Sequence, residues 1–330
     1  MSKFPKMPVQ RANDSSRMSG KDGLAFLRKE LEKVDAKLLE PLDATLWPRD
    51  MPVKTGGGFI ENIAAISVEY ASTGGANGAK NLIFNEANDI PVMQADFDET
   101  VWRVFNWAEY WVLSYIQSEK FKKTARNAEE ILTKGIHKHF DAFCDQNVYK
   151  GFEEVGSTGL LNNPNVTRVA AAANAGNTST NWDDKTADEI LADINDALSA
   201  VWAANEMAEN ALPNHILIPV AQFGSIVTRK VGTTGDKSIL TYILENNITS
   251  KQGKDLKILP CKYCKAAGQS STDRMVVYIN NADMIEFEMT QPLKRWEMER
   301  SNLAIKTPFV AQISEVKFKY PTTVRYMDGI

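Results

Sequence analysis

Apolar positions recur at alternating steps of three and four through the middle of the chain: Phe121, Ala125, Ala128, Leu132, Ile136, Phe140 and Phe143. That spacing keeps side chains on one helical face and predicts a single helix over residues 105–148, with no proline to interrupt it. At 1.5 Å per residue such a helix would span on the order of 60 Å, too long for a compact ball, so it reads as a spine. Upstream, Leu24, Leu27, Leu31, Val34 and Leu38 form a second helical stripe that ends before Pro41, behind a polar leader over residues 1–20. This is either a helix packed on its own domain or a helix on an arm that reaches a neighbour, because a short amphipathic helix cannot bury its stripe alone.

Elsewhere the period changes to two. Pro48, Pro52, Gly56, Gly57 and Gly58 predict a linker or hinge. Ile66, Val68 and Tyr70 then alternate with Ser67 and Glu69, as in a half-buried strand. A glycine-rich turn over 73–80 and a second extended stretch, through Leu82, Phe84 and Ile90 to Val101, complete a long hairpin-like loop. A two-stranded ribbon of that length is marginal by itself and must rest on something. Trp102, Phe105, Trp107, Tyr110 and Trp111 crowd its root; with only Arg103 among them they predict an aromatic core or interface rather than a base-stacking platform.

Beyond the spine, Gly156, Gly159 and Pro164 break the helix, and residues 170–180 read as a loop or a short buried segment. A helix over 188–210, a buried strand over 215–220 and a helix near 238–244 follow. Strands are expected at 256–259, 275–279 and 284–289, then an extended pair at 310–320 and 322–327. Residues Ile285, Phe287 and Met289 alternate with Glu286 and Glu288. This mixed order argues α+β rather than a doubly wound sheet.

Composition narrows the function. With 330 residues, 43% of them hydrophobic, the chain can bury a core divided between two lobes. A formal charge of −4 gives no electrostatic reason to bind nucleic acid across the whole surface. No apolar run is long enough to span a bilayer, and the N-terminus has no signal-peptide core, so a cytosolic product is expected. Three cysteines, Cys144, Cys261 and Cys264, fit a reducing compartment. Cys261 and Cys264 form one CxxC, whereas a structural zinc site wants four ligands and a redox motif wants a following helix. His137 and His139 lie two apart and cannot chelate one ion from a helix. The loop carrying Lys80 lacks the ending of a phosphate loop, and no nucleophile elbow occurs. No catalytic, cofactor-binding or metal residue is assigned, and the chain reads as a non-enzyme.

Three motifs carry a resemblance. The segment 70–91, with Gly78-Ala79-Lys80 and Asn88-Asp89-Ile90-Pro91, the run from Trp107 to Tyr115, and Gly159-Leu160-Leu161-Asn162-Asn163-Pro164 resemble major capsid proteins of tailed bacteriophages. They look most like the encapsulin-related branch of the Hong Kong 97 capsid fold, over about residues 60–330. The resemblance implies an N-terminal arm over 1–55 and an extended loop over 56–104. It implies a peripheral domain with the spine helix over 105–157 and 301–330, and an axial domain over 158–300. It further implies self-assembly into pentamers and hexamers of an icosahedral head that encloses double-stranded DNA without reading its sequence. The site of action would be the virion capsid, after assembly in the host cytoplasm, with scaffolding, portal and decoration proteins as possible partners. An acidic balance suits such a container, since a strongly basic inner wall would bind the genome along its length. Some family members crosslink a loop lysine to an asparagine; Lys80 sits in the right kind of loop, but no partner residue matches. Two alternatives stand beside this: an encapsulin-like nanocompartment shell, and a thiol or zinc protein using Cys261 and Cys264.

Overall fold

The structure, a computed structural model, describes residues 44–73, 91–123, 127–232 and 236–330. The leader, the stripe of residues 24–38, the turn carrying Lys80, and Leu82, Phe84, Ile90 and Ala125 lie outside the described residues.

In chain order the elements begin with α1 (Trp47–Asp50), β1 (Val53–Thr55), β2 (Asn62–Ser72), β3 (Met93–Ser114), α2 (Tyr115–Lys123), α3 (Ala128–Tyr149) and β4 (Thr167–Ala170). There follow α4 (Ala187–Ala204), β5 (His215–Ile218), α5 (Val220–Thr228), α6 (Ile239–Asn246), α7 (Ile248–Lys251), β6 (Lys257–Pro260), β7 (Arg274–Tyr278) and β8 (Ile285–Met289). The chain ends with β9 (Gln291–Arg295), β10 (Glu299–Ser301), β11 (Ala304–Ser314), β12 (Lys317–Phe318) and β13 (Val324–Asp328). Mixed helix and sheet is thus as expected.

The spine is shorter than its periodicity implied. Residues 105–114 are strand, not helix, and α2 and α3 follow separately. The reason lies in the side chains and their partner. Trp107, Trp111 and Leu113 are buried at odd positions, the alternation of a pleated strand, and residues 104–114 pair antiparallel with 314–304 of β11. The 22 residues of α3 span about 33 Å. Asn127 caps it, its side chain accepting from the amides of Glu129 (3.2 Å) and Glu130 (3.4 Å). Ile136, Phe140, Cys144 and Val148 form its buried stripe at steps of four, and Phe140 meets Trp107 edge to face at 5.0 Å.

A five-stranded sheet, β4-β13-β7-β5-β6, lies between two apolar cores. Leu217, Val276, Tyr278, Val324 and Tyr326 join the core that contains α3, whereas Ile216, Ile218, Met275, Val277 and Met327 join the core of α4, α5 and α6. Burial on both faces explains why β5 and β7 read as nearly continuous apolar runs. A second sheet runs β10-β11-β3-β2, with β9 also on β11, and a third runs β1-β8-β12.

One further expectation changes. The supposed linker is anchored: Trp47, Asp50 and Met51 are buried, and β1 pairs in parallel with β8. Its glycines do adopt positive φ (113°, 115° and 74°), yet the amides of Gly56 and Gly58 bond to the carbonyls of Met289 and Thr290. In β8 all five residues are buried, including both glutamates. Lys317 covers them, 2.5 Å from Glu286 and also bonded to Glu288, with Lys319 at 3.1 Å from Glu286. Burial pushes the Glu286 carboxyl up, but the hydrogen bonds from Lys317 and Lys319 outweigh it and hold it below its ordinary value.

Candidate assembly surfaces

The segment entering the body at Ala44 is held by two buried carboxylates. Asp145, on α3, accepts from the amides of Leu46 (3.0 Å) and Trp47 (2.9 Å) and pairs with Lys262 at 3.3 Å. Asp50 is fully buried and accepts from Arg49 at 2.6 and 2.9 Å and from the Tyr149 hydroxyl. Tyr278 donates to the Asp50 carbonyl at 2.6 Å.

The six-residue element after the spine has a mechanical role. The amides of Leu160 and Leu161 donate to the carbonyls of Val148 (2.7 Å) and Tyr149 (3.0 Å), two acceptors that a helix end leaves open. Asn162 accepts from the Gly159 amide at 2.7 Å and donates to the Lys150 carbonyl at 2.6 Å. Only glycine fits at 159, because a Cβ there would lie 2.4 Å from the Tyr149 carbonyl carbon. Arg274 donates to the Leu161 carbonyl, forks onto Asp328 at 2.6 and 2.7 Å, and lies over the Tyr326 ring at 4.5 Å.

The ribbon formed by β2 and the first half of β3 has two unlike faces. In the register Ala64↔Val101, Ile66↔Glu99, Val68↔Phe97, Tyr70↔Ala95, one face is mostly apolar. Ile66 (71%), Tyr70 (75%) and Phe97 (67%) on it are among the most exposed large apolar side chains described. The opposite face carries Ser67, Glu69, Asp96, Asp98 and Thr100, and it sets Glu69 directly across from Asp96. Like charges in that position destabilise an isolated ribbon. At its root Trp102, Trp107 and Trp111 are buried, as their crowding predicts. Gln312 grips Ile60 through both of its backbone groups (2.9 and 2.8 Å), and Arg103 donates to the Val155 carbonyl at 2.7 Å.

The remaining titratable motifs do not converge. Cys144, Cys261 and Cys264 are free and fully buried. The hydrogen bond between Cys261 and Cys264 holds the Cys261 thiol below its ordinary value and raises that of Cys264. His137 lies edge-on to Phe309, and His139 binds Glu109 at 2.8 Å on the surface. Among the described residues no three His, Cys, Asp or Glu side chains gather to hold a metal. Among them, too, no helix is long and apolar enough to cross a membrane.

His215 provides a pH test. Burial, aided by Lys257, pushes it down to about 4. The folded state therefore resists protonation that the unfolded chain accepts near 6.5, so this contribution is whole above pH 6.5 and is lost as pH falls toward 4. Unfolding free energy is expected to decline between pH 6.5 and about 5, before most carboxylates titrate, and His215→Gln should flatten that slope in denaturant titrations.

No match is found among curated protein sequences. Solved structures share the fold at low identity. The capsid of Myoviridae phage XM1 has a TM-score of 0.75 at 14% identity, covering 92% of this chain and 98% of that one. The capsid of a native GTA particle has 0.60 at 10%, covering 98% of each. Microbacterium phage Oxtober96 gives 0.59 at 9%, covering 98% and 99%. These are folds of the Hong Kong 97 type. A family model described as "Major capsid protein" matches residues 78–330, more than half the chain. With its ribbon, buried root and capped spine, the chain belongs to the major capsid protein family, whose role is structural rather than catalytic.

Proposed function

We propose that this chain assembles into pentamers and hexamers of an icosahedral phage head that encloses double-stranded DNA. The observation that carries the reading is the amphipathic ribbon, whose apolar face the described fold leaves in solvent. A monomer gains nothing from such a face, whereas a shell buries it against a neighbouring copy. In this reading residues 1–55 form the arm and 56–104 the extended loop. Residues 105–157 and 301–330 form the peripheral domain, supported by the pairing of β3 with β11. Residues 158–300 form the axial domain. The charge of −4 fits a container that holds DNA without gripping it. Scaffolding, portal and decoration proteins would be its partners, in the host cytoplasm during assembly.

Negative-stain microscopy of the expressed chain tests this: closed shells are expected, and a protein that stays monomeric under all assembly conditions overturns it. A Cys261→Ser, Cys264→Ser variant should form the same shells, which separates this function from one that needs the thiols.

A further inference from the structure

The two cysteines of the CxxC motif meet in the fold. Strand β6 ends at Pro260, Cys261 precedes a 3-10 turn over Lys262–Cys264, and Cys264 closes that turn. Such a turn has three residues and rises about 2 Å per residue, so positions i and i+3 eclipse about 6 Å apart. That separation lies inside the range a disulfide bridges. The two sulfurs share a hydrogen bond, and the Cys261 sulfur also accepts from the amides of Tyr263 and Cys264. These bonds favour its thiolate over its thiol. Cys144 differs: it is buried on α3, where desolvation raises its thiol well above the ordinary value.

The turn lies at the surface with its sulfurs inward. Lys262, Lys265 and Ala266 are exposed, whereas Cys261 and Cys264 have no exposed surface. It is also a joint. Lys262 donates to the Ala44 carbonyl and pairs with Asp145, both at 3.3 Å, and Arg49 donates to the Pro260 carbonyl at 2.9 Å. The Tyr263 ring stacks on Tyr149 at 4.9 Å, and the Cys261 amide donates to the Ile218 carbonyl of β5 at 2.8 Å. Residues 44–50, α3 and the five-stranded sheet are thus tied through one short turn that begins and ends in a thiol.

We propose that Cys261 and Cys264 are a redox site, bridged by small-molecule disulfides and reopened by small-molecule thiols, and that the bridge tightens the joint around Ala44–Asp50. Cys261 gives its proton to solvent and attacks one sulfur of the oxidant, whose other half leaves as a thiolate. Cys264 then gives up its proton and attacks the Cys261 sulfur, releasing the second half. The two protons and two electrons lost by the cysteines end as two thiols of the spent oxidant. The bridge adds to bonds already present, so this inference does not depend on the shell reading.

The test incubates the folded full chain with glutathione disulfide, then alkylates the remaining thiols in denaturant and maps them. The wild-type chain should keep the Cys144 thiol alone and carry no glutathione. It should melt about 2–5 °C above the reduced chain, a gain limited by the short loop that is closed. Dithiothreitol should restore all three thiols and the lower melting temperature. Cys264→Ser, which cannot bridge, should show no such rise. Three thiols left in the treated wild-type chain, a glutathione adduct that persists on it, or a bridged chain that melts no higher than the reduced one overturns the proposal. So does an equal rise in Cys264→Ser.

Discussion

Replacing Val68 and Phe97 together by threonine is expected to leave the isolated subunit folded and to abolish shell formation. The two residues face each other across the ribbon, 39% and 67% exposed, so their truncation removes little that the folded chain uses. Threonine is β-branched, suits a strand at both positions, and can bond across the pair. Exposed substitutions of this kind change stability by about 0.5 kcal/mol or less. At an interface the account differs. A phenylalanine buries roughly 150–250 Å². At about 25 cal/mol per Å², losing it with the valine removes on the order of 5 kcal/mol per contact. Each 1.4 kcal/mol is about tenfold in affinity, and in the proposed shell every copy would lose such a contact, so closure should fail well before the subunit does. Calorimetry on the monomer and sedimentation of the assembly reaction measure the two halves. A variant that forms shells at the wild-type concentration would show the ribbon to be idle.

The second large effect is inside. Arg274→Met should destabilise the subunit by about 3–5 kcal/mol, because it strands a buried carboxylate and also frees the Leu161 carbonyl. Arg274 and Asp328 are 2% and 8% exposed and share two short bonds. Burial pushes the Asp328 carboxyl up, and the Arg274 bonds outweigh it and bring it below its ordinary value. The pair's contribution is therefore whole above about pH 4 and disappears as pH falls through the lowered value. The single substitution should lower the melting temperature by on the order of 10 °C at neutral pH. Arg274→Met combined with Asp328→Leu should recover part of that loss, since an apolar pair leaves no orphaned charge. Equal melting of single and double variants would place the cost in lost packing on Tyr326 instead.

Much of this architecture was legible because local signals and tertiary demands agreed. The period-two run of Ile66, Val68 and Tyr70 found its strand, and the stripe of α4 found a helix with a capping box at Thr186 and Glu189. The Gly-Leu-Leu-Asn element marked the end of the spine because glycine and asparagine are the residues that let the chain fold back over that end. The misread segment, 105–114, is one whose partner strand lies about two hundred residues later. Its aromatics satisfy a helical spacing as readily as a pleated one, and only β11 decides between them. The supposed linker failed similarly, since proline and glycine report backbone conformation and say nothing about Trp47 or the buried Asp50. The burial of Glu286 and Glu288 is likewise beyond local reading, since the lysine that covers them lies about thirty residues on. Of the candidate assembly surface, the ribbon's alternating pattern could be read, but how far its apolar face lies open needs the folded chain.

That β3 is shared between ribbon and body has a mechanical consequence. A pull exerted on Phe97 travels along covalent backbone, without crossing a hinge, to the far rim where α2 begins. Load that a neighbouring copy placed on the ribbon would then be carried as tension along β3, with no joint at which the subunit could bend.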